Sequence, residues 1–143
     1  MIILYIIMIV YLDGIFDMFH IGHLRSFEFI KNKFTNCKLV IGIISDSDAS
    51  SYKRKPVINE QQRCDIIKSI RYVDNIIFPA PLIINNDFLL ENKIEKVVHG
   101  FSCEEDKKKQ QDFFKDIINK FEEIPYNDEI STTDIINEIK DRF

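Results

Sequence analysis

Short apolar runs alternate with segments of helical spacing along the chain, and this alternation most restricts the folds it can adopt. Five apolar runs predict buried strands: 2–12, 38–44, 73–78, 96–99 and 121–124. Helices are predicted between and after them: 22–33, 60–71, 86–92, 104–120 and 131–142. The segment 45–51 is polar and is expected to be a loop. Alternating strands and helices favour an α/β domain, with a doubly wound parallel sheet of about five strands.

Length and charge limit the classes of function. A chain of 143 residues, 45% hydrophobic and 29% charged, fits one globular domain, residues 1–143. Its net charge of −4 disfavours general nucleic-acid binding. Three cysteines without paired spacing indicate free thiols and a cytoplasmic location. The apolar start, Met1 to Leu12, is shorter than the roughly 20 residues that span a bilayer, so no transmembrane segment is expected.

The first strand runs into a loop and a helix start that carry two histidines, Asp13-Gly-Ile-Phe-Asp-Met-Phe-His-Ile-Gly-His23. Gly14 and Gly22 allow the backbone to approach a ligand closely. Imidazoles at i and i+3 beside a helix N-terminus can both face one phosphate. Histidines in such places are also common as surface or capping residues. A zinc site is disfavoured because no cysteine lies within reach and the only other histidine is His99.

Three later segments have ordinary structural interpretations when each is taken alone. The charges from Lys53 to Arg63 are typical of a solvated face, and Arg71 is a cation in the last turn of a helix. Ser131 and Asp134 predict a capping box at the start of the final helix. That helix start could also hold phosphate oxygens, through its free N–H groups and the two threonine hydroxyls that follow Ser131.

Together, in this order, the four segments resemble the cytidylyltransferases of the HIGH nucleotidyltransferase superfamily. The signature G-x-F-D-x-x-H-x-G-H ends here in His20-Ile-Gly-His23, and the later matches are the lysine loop with its E-x-x-R helix, R-Y-V-D and I-S-T-T. The K-M-S-K-S loop of the class I synthetases is absent, and those enzymes need far longer chains. The resemblance implies a Rossmann-like homodimeric enzyme that transfers CMP from CTP to a phosphomonoester alcohol, with Mg²⁺ accompanying CTP and no metal ligand from the protein.

The resemblance also implies roles for individual residues. Catalysis falls to His20, His23 and Lys53. Nucleotide binding falls to ten residues: Gly14, Ile15, Phe16, Gly22, Arg63, Arg71, Ile130, Ser131, Thr132 and Thr133. Acceptor binding falls to Asp13, Leu82, His99 and Gly100.

The acceptor expected from the Val98-His99-Gly100 string and the Ala80-Pro81 turn is phosphoethanolamine, because these resemble ethanolamine-phosphate cytidylyltransferase. Leu82 and Gly100 leave the aromatic cage of the choline-specific members incomplete. Choline phosphate and glycerol 3-phosphate remain the alternatives, and His99 is equally interpretable as a buried strand-end residue.

Two positions depart from the family motif. Tyr126 stands where the motif has an arginine, and Glu129 stands where it has a glycine. Arg54 and Lys55 are candidates to supply the missing positive charge. The departures keep open a function of another class, a catalytically impaired module for nucleotide binding or dimerisation. Adenylyl transfer is a second enzymatic alternative.

Overall fold

The computed structural model describes residues 7–143. The strands are β1 (Ile9–Gly14), β2 (Lys38–Ile43), β3 (Asn75–Ile77), β4 (Lys96–His99) and β5 (Phe121–Glu123). They form one parallel sheet in the order β3-β2-β1-β4-β5. The prediction of a Rossmann-like, doubly wound parallel sheet of five strands in a single α/β domain is confirmed.

The helices follow the strands in alternation. They are α1 (Ile21–Lys33), α2 (Asp46–Tyr52), α3 (Glu60–Lys68), α4 (Asn86–Glu91), α5 (Glu104–Gln110) and α6 (Thr132–Arg142), with a 3₁₀ segment at Gln111–Ile117. In the described chain, no helix is long and apolar enough to cross a bilayer. The predicted first strand begins at Ile9, and the part of it at residues 2–6 lies outside the described residues.

The prediction of a loop at 45–51 is wrong, because α2 occupies most of that segment. Ser45 caps the helix by accepting a hydrogen bond from the Asp48 amide at 3.1 Å. Asp46 and Asp48 lie in the first turn, where the helix dipole favours negative charge. The polar composition that indicated a loop is therefore that of a helix start.

The predicted single helix at 104–120 is also wrong, because α5 gives way to the 3₁₀ segment at Gln111. In a 3₁₀ helix, residues three apart lie on one face, so Phe114 and Ile117 both turn into the core. The carbonyl of Phe113 accepts a hydrogen bond from the Ile84 amide at 2.9 Å and ties this segment to the loop before α4.

The helix predicted at 60–71 ends earlier, at Lys68, so Arg71 lies in the following turn and not in the last helical turn. The strand predicted at 73–78 shortens to β3. Asp74 precedes β3. Its carboxylate accepts hydrogen bonds from two earlier residues, from the Leu39 amide at 2.7 Å and from the Lys31 ammonium at 2.6 Å.

The core has two halves, one on each face of the sheet. Alternation along β1 directs Val10 and Leu12 to the half that includes α1 and α3, and Tyr11 to the half that includes α4 and the 3₁₀ segment. Tyr11 reaches across β2, where a Cβ on Gly42 would lie 1.9 Å from the Tyr11 Oη atom. Only glycine leaves room there for the phenol.

Candidate functional site

A cleft of about 420 Å³ opens at the carboxyl ends of β1 and β4, where the strand order reverses. This is the expected place for a ligand in an open α/β sheet. Thirteen of the predicted site residues line it: Asp13, Gly14, Ile15, Phe16, His20, Gly22, His23, Lys53, His99, Gly100, Ser131, Thr132 and Thr133. The remaining four, Arg63, Arg71, Ile130 and Leu82, are not among its lining residues.

The two signature histidines form the N-terminal cap of α1. The Nδ1 atom of His20 accepts from the Gly22 amide at 3.0 Å, and the Nδ1 atom of His23 accepts from the His20 amide at 3.3 Å. An Nδ1 atom that accepts carries no proton, so the proton of each neutral ring is on Nε2. Both imidazoles are therefore set as Nε2–H donors.

The electrostatics keep these rings neutral. Burial, together with smaller effects of the neighbouring His20 and Lys53, lowers the pKa of His23 to about 3. Burial also lowers the pKa of His20, against an opposing effect of Asp134. The two rings stack with centroids 3.8 Å apart, and two positive charges at that separation would repel strongly. The pair is suited to donating hydrogen bonds and not to carrying charge.

The final helix meets the signature loop at the cleft. The Thr132 hydroxyl donates to the Asp17 carbonyl at 3.1 Å and lies 3.3 Å from His20 Nε2, which donates to it. A Cβ on Gly22 would lie 2.7 Å from the Ile130 carbonyl oxygen, so only glycine permits this crossing of the two segments. The predicted capping box is present, since Ser131 Oγ accepts from the Asp134 amide at 3.0 Å and the Asp134 carboxylate accepts from the Ser131 amide at 2.9 Å.

Asp17 joins the signature loop to the lysine loop. Its buried carboxylate accepts from the amides of Val57 and Ile58 at 2.7 and 2.8 Å. Asp17 therefore holds the signature loop against the lysine loop. The two flanking residues, Phe16 and Met18, have φ angles of 55° and 48°, a conformation that needs such anchoring in non-glycine residues.

Arg63 is a buried connector below the cleft. Its guanidinium donates to the carbonyls of Ile58 and Ile15 at 3.0 and 2.6 Å and to the Asp46 carboxylate at 2.8 Å. Only 1% of the residue is exposed. It therefore joins the lysine loop, the signature loop and α2.

Two cations, Lys53 and Arg54, follow α2 into the cleft. Desolvation lowers the pKa of the Lys53 ammonium, Arg54 and Lys109 lower it further, and Asp106 opposes them. The Arg54 guanidinium directs both terminal nitrogens to Thr133 Oγ1, each at 3.4 Å.

Asp13 and His99 meet at the ends of β1 and β4. His99 Nδ1 lies 3.5 Å from Asp13 Oδ1, an ion pair only when the imidazole is protonated. The pair is not aligned as a hydrogen bond, and in the described part of the chain the buried Nδ1 atom has no hydrogen-bond partner. His99 also packs against Phe101 and Phe114, with ring centroids 4.8 and 5.0 Å away.

The two departures from the motif have different surroundings. Glu129 is not among the cleft residues, and its carboxylate lies 3.8 Å from the Arg25 guanidinium on α1. Tyr126 does line the cleft, and burial together with Asp106 and Asp134 raises the pKa of its phenol, which is neutral at pH 7. Glu129 thus adds no charge to the cleft, whereas the place of the motif arginine holds a neutral side chain.

Of the predicted residues outside the cleft, Arg71 donates to the Tyr72 hydroxyl at 2.9 Å, which in turn donates to Glu28 on α1. Leu82 packs in a small cluster around Ala49 and Ala80.

Some cleft residues were not predicted, notably Tyr52, Asp106, Gln110, Asn127 and Asp128. Tyr52 and Asp106 lie at the end of α2 and in α5, and Asp106 raises the pKa of the Tyr52 phenol after the larger effects of burial and Asp13. The N-cap pattern at Ser45 could have indicated α2 and hence the position of Tyr52. In the part of the chain that the structure describes, no group of three or more histidine, cysteine or acidic residues could hold a metal ion.

The fold and this cleft define a Rossmann-like α/β domain with a switch-point site suited to an anionic ligand. The family model described as cytidylyltransferase-like matches residues 11–138. The chain belongs to the cytidylyltransferase-like family.

The chain is similar to both choline-phosphate and ethanolamine-phosphate cytidylyltransferases. The chain is 35% identical over 136 residues to the choline-phosphate cytidylyltransferase of Saccharomyces cerevisiae, covering 91% of this chain and 31% of that protein. It is 34% identical over 95 residues to the ethanolamine-phosphate cytidylyltransferase of Arabidopsis thaliana, covering 64% of this chain and 22% of that protein. The chain thus spans a third or less of the length of these relatives. A lipopolysaccharide core biosynthesis protein from Thermoplasma volcanium shares the fold, with a TM-score of 0.64 and 22% identity over 83% of this chain and 97% of that one.

Proposed function

We propose that the chain transfers CMP from CTP to phosphocholine, giving CDP-choline and pyrophosphate. The observation that carries the proposal is the pair of neutral Nε2–H donors, His20 and His23, set beside the N-terminus of α6 and the cations of the lysine loop. Family membership supplies the reaction class, and the longer match to the choline relative supplies the acceptor. Phosphocholine therefore replaces phosphoethanolamine as the favoured acceptor.

In this reaction an anionic phosphate oxygen of the acceptor attacks the α-phosphorus of CTP. A new P–O bond forms as the bond from the α-phosphorus to the bridging oxygen breaks, and pyrophosphate leaves with that electron pair. The attacking oxygen is already ionised, so positioning and charge stabilisation supply the catalysis. His20 and His23 donate to the phosphate oxygens as they become crowded, and Lys53 neutralises charge.

The remaining phosphates lie on the first turn of α6. Its free N–H groups and the Thr133 hydroxyl act as donors there, while the Thr132 hydroxyl ties this turn to the Asp17 carbonyl. Mg²⁺ supplies counter-charge to CTP. Phosphate oxygens of CTP and water would hold it.

The acceptor end of the cleft has the chemistry of a site for a quaternary ammonium. A trimethylammonium group has no N–H to donate, so aromatic rings and carboxylates must hold it. Tyr52, Tyr126 and Asp106 all line the cleft, and the Asp106 carboxylate raises the pKa of both phenols. Asp13 lines the same cleft and contributes a second carboxylate.

The test is product formation by the full chain with CTP, Mg²⁺ and each of three acceptors in separate reactions: phosphocholine, phosphoethanolamine and glycerol 3-phosphate. We expect CDP-choline as the main product, with kcat/KM at least about tenfold above the other acceptors, or 1.4 kcal/mol. A preference for phosphoethanolamine would overturn the proposal that phosphocholine is the acceptor. Absence of pyrophosphate release with all three, at high protein concentration, would remove the transferase proposal.

The histidine role has its own test. His20→Ala should lower kcat more than about tenfold, because it removes a donor to the reacting phosphates. Ser26→Ala, which changes another cleft residue on α1, is the matched control. Equal rates for His20→Ala and the wild type would exclude that role.

A second candidate function is nucleotide binding without turnover, which Tyr126 favours because it removes a cation from the motif. Calorimetry distinguishes the two, since CTP binding without product in any acceptor reaction would support the module. Replacement of CTP by ATP in the same assay tests adenylyl transfer.

We also propose that the chain acts as a homodimer, as the R-Y-V-D resemblance implies. Arg71 is on the surface, where it stacks on the Tyr72 ring at 4.9 Å. Sedimentation equilibrium of the wild type and of Arg71→Glu measures this, and two monomeric species would contradict it.

A further inference from the structure

The cleft has less positive charge than a bound nucleoside triphosphate would need. Its lining includes five carboxylates but only two lysine or arginine side chains, Lys53 and Arg54. Three of the carboxylates, Asp17, Asp106 and Asp134, already accept from backbone amides. A nucleoside triphosphate carries about four negative charges, so one ammonium and two neutral imidazoles leave most of that charge unbalanced.

Arg54 is the side chain placed to supply the balance. Its only hydrogen-bond partner in the described chain is the Thr133 hydroxyl, at 3.4 Å from each terminal nitrogen. Contacts of this length are weak and exchange readily for a phosphate oxygen. Within residues 7–143 the guanidinium forms no ion pair, although carboxylates line the same cleft.

The orientation of the guanidinium gives a second argument. Both terminal nitrogens face one oxygen atom, as an arginine fork faces the oxygens of a phosphate. That oxygen belongs to the first turn of α6, where backbone N–H groups also favour an anion. A phosphate placed there would contact the helix start and the arginine together.

The position of Arg54 in the chain decides which phosphate it can reach. It follows Lys53 directly, and its positive charge is one of the causes of the lowered pKa of the Lys53 ammonium. An anion between the two cations relieves that repulsion. The imidazoles lie at the start of α1 and Arg54 meets the start of α6, so a triphosphate that spans the two places its terminal phosphates at Arg54.

We infer that Arg54 binds the β- and γ-phosphates of CTP at the first turn of α6 and supplies the positive charge that Tyr126 does not. The inference rests on the proposed nucleotide site and adds a phosphate-binding residue to it. It makes Arg54 responsible for the preference for a triphosphate over a monophosphate, and not for recognition of the base or the acceptor.

The experiment compares the affinities of the full chain for CTP and CMP by calorimetry, in the wild type, Arg54→Ala, Arg54→Lys and Lys55→Ala. Lys55 is the matched control, an exposed neighbouring cation that is not among the cleft residues. Arg54→Ala should lower CTP affinity at least about tenfold, as expected for loss of a charge-assisted pair, and should change CMP affinity less than twofold. Arg54→Lys should fall between, because it keeps the charge and loses the fork.

Equal losses for CTP and CMP in Arg54→Ala, or no loss for CTP, would overturn the inference. A tenfold loss in Lys55→Ala would do the same, because the effect would then be one of general charge. Inorganic tripolyphosphate separates this inference from the proposed function. Binding of tripolyphosphate that depends on Arg54 supports the inference even if no acceptor yields product, whereas a wild type that binds neither tripolyphosphate nor CTP overturns both.

Discussion

Arg63→Met removes the guanidinium that joins three segments below the cleft while nearly keeping its volume. The wild-type side chain is buried and donates to two backbone carbonyls and to Asp46. The substitution leaves the Ile15 and Ile58 carbonyls without their charged donor and leaves the Asp46 carboxylate without its ion pair. All three losses act on the folded state alone.

The expected magnitude follows from these contacts. Breaking a buried ion pair costs about 3–5 kcal/mol, and the lower half of that range applies because one third of the Asp46 side chain is exposed and can be hydrated. Each carbonyl left without a partner costs about 1 kcal/mol or more, part of which is already included in that figure. We expect the free energy of unfolding to fall by about 3–4 kcal/mol. At about 3 °C per kcal/mol for a chain of this length, the melting temperature should fall by roughly 10 °C.

The assay is urea and thermal unfolding followed by circular dichroism. Lys33→Met is the matched control, because the Lys33 ammonium pairs with Glu122 at 2.8 Å on the surface, where such pairs contribute about 0–1 kcal/mol. A loss in Arg63→Met no larger than in Lys33→Met would refute the reasoning that the buried hydrogen bonds of Arg63 hold the three segments together.

Two further predictions concern His23 and Tyr11. His23 has a pKa of about 3 when folded and about 6.5 when unfolded, so the unfolded state binds the extra proton and stability falls as pH drops from about 6.5 toward 3. Urea unfolding at pH 7 and at pH 5 measures this loss of stability. In His23→Gln the loss between the two pH values should be smaller than in the wild type by up to about 2 kcal/mol. Equal losses in the two proteins would contradict the lowered pKa. Tyr11→Phe should leave stability unchanged or raised, because the buried Oη atom has no hydrogen-bond partner in the described chain, whereas Gly42→Ala should lower the urea midpoint because its Cβ meets that phenol. A clear loss in Tyr11→Phe would indicate a partner for the hydroxyl.

The alternation of strands and helices and the two helix starts at the cleft were predictable because they depend on local patterns. Apolar runs indicate strands that are buried on both faces of a parallel sheet. Ser131 and Asp134, three positions apart, indicate a capping box. The signature histidines were found the same way, through spacing beside a helix start. Each of these signals lies within a short stretch of chain.

What could not be predicted depends on contacts between distant segments. Arg63 was expected to bind the nucleotide, but its burial depends on two earlier segments, at Ile15 and Asp46, whose approach no local pattern indicates. The motif position of Glu129 does not tell where its carboxylate lies, because it pairs with Arg25, more than 100 residues earlier in the chain. The break between α5 and the 3₁₀ segment likewise follows from core packing of Phe114 and Ile117, because helical spacing alone would continue the helix.

The hydroxyl of Thr132 joins the start of α6 to the signature loop near the beginning of the described chain. It connects to Asp17 and His20 across 115 and 112 positions, and α6 itself contributes no fully buried residue. Such a contact closes a loop of more than 100 residues, so we expect it to form after the sheet has assembled. A nascent chain that has not yet extended past Ser131 can therefore complete its core while its anion cleft still lacks one wall. A ligand that contacts both helix starts would therefore also hold α6 to the rest of the domain.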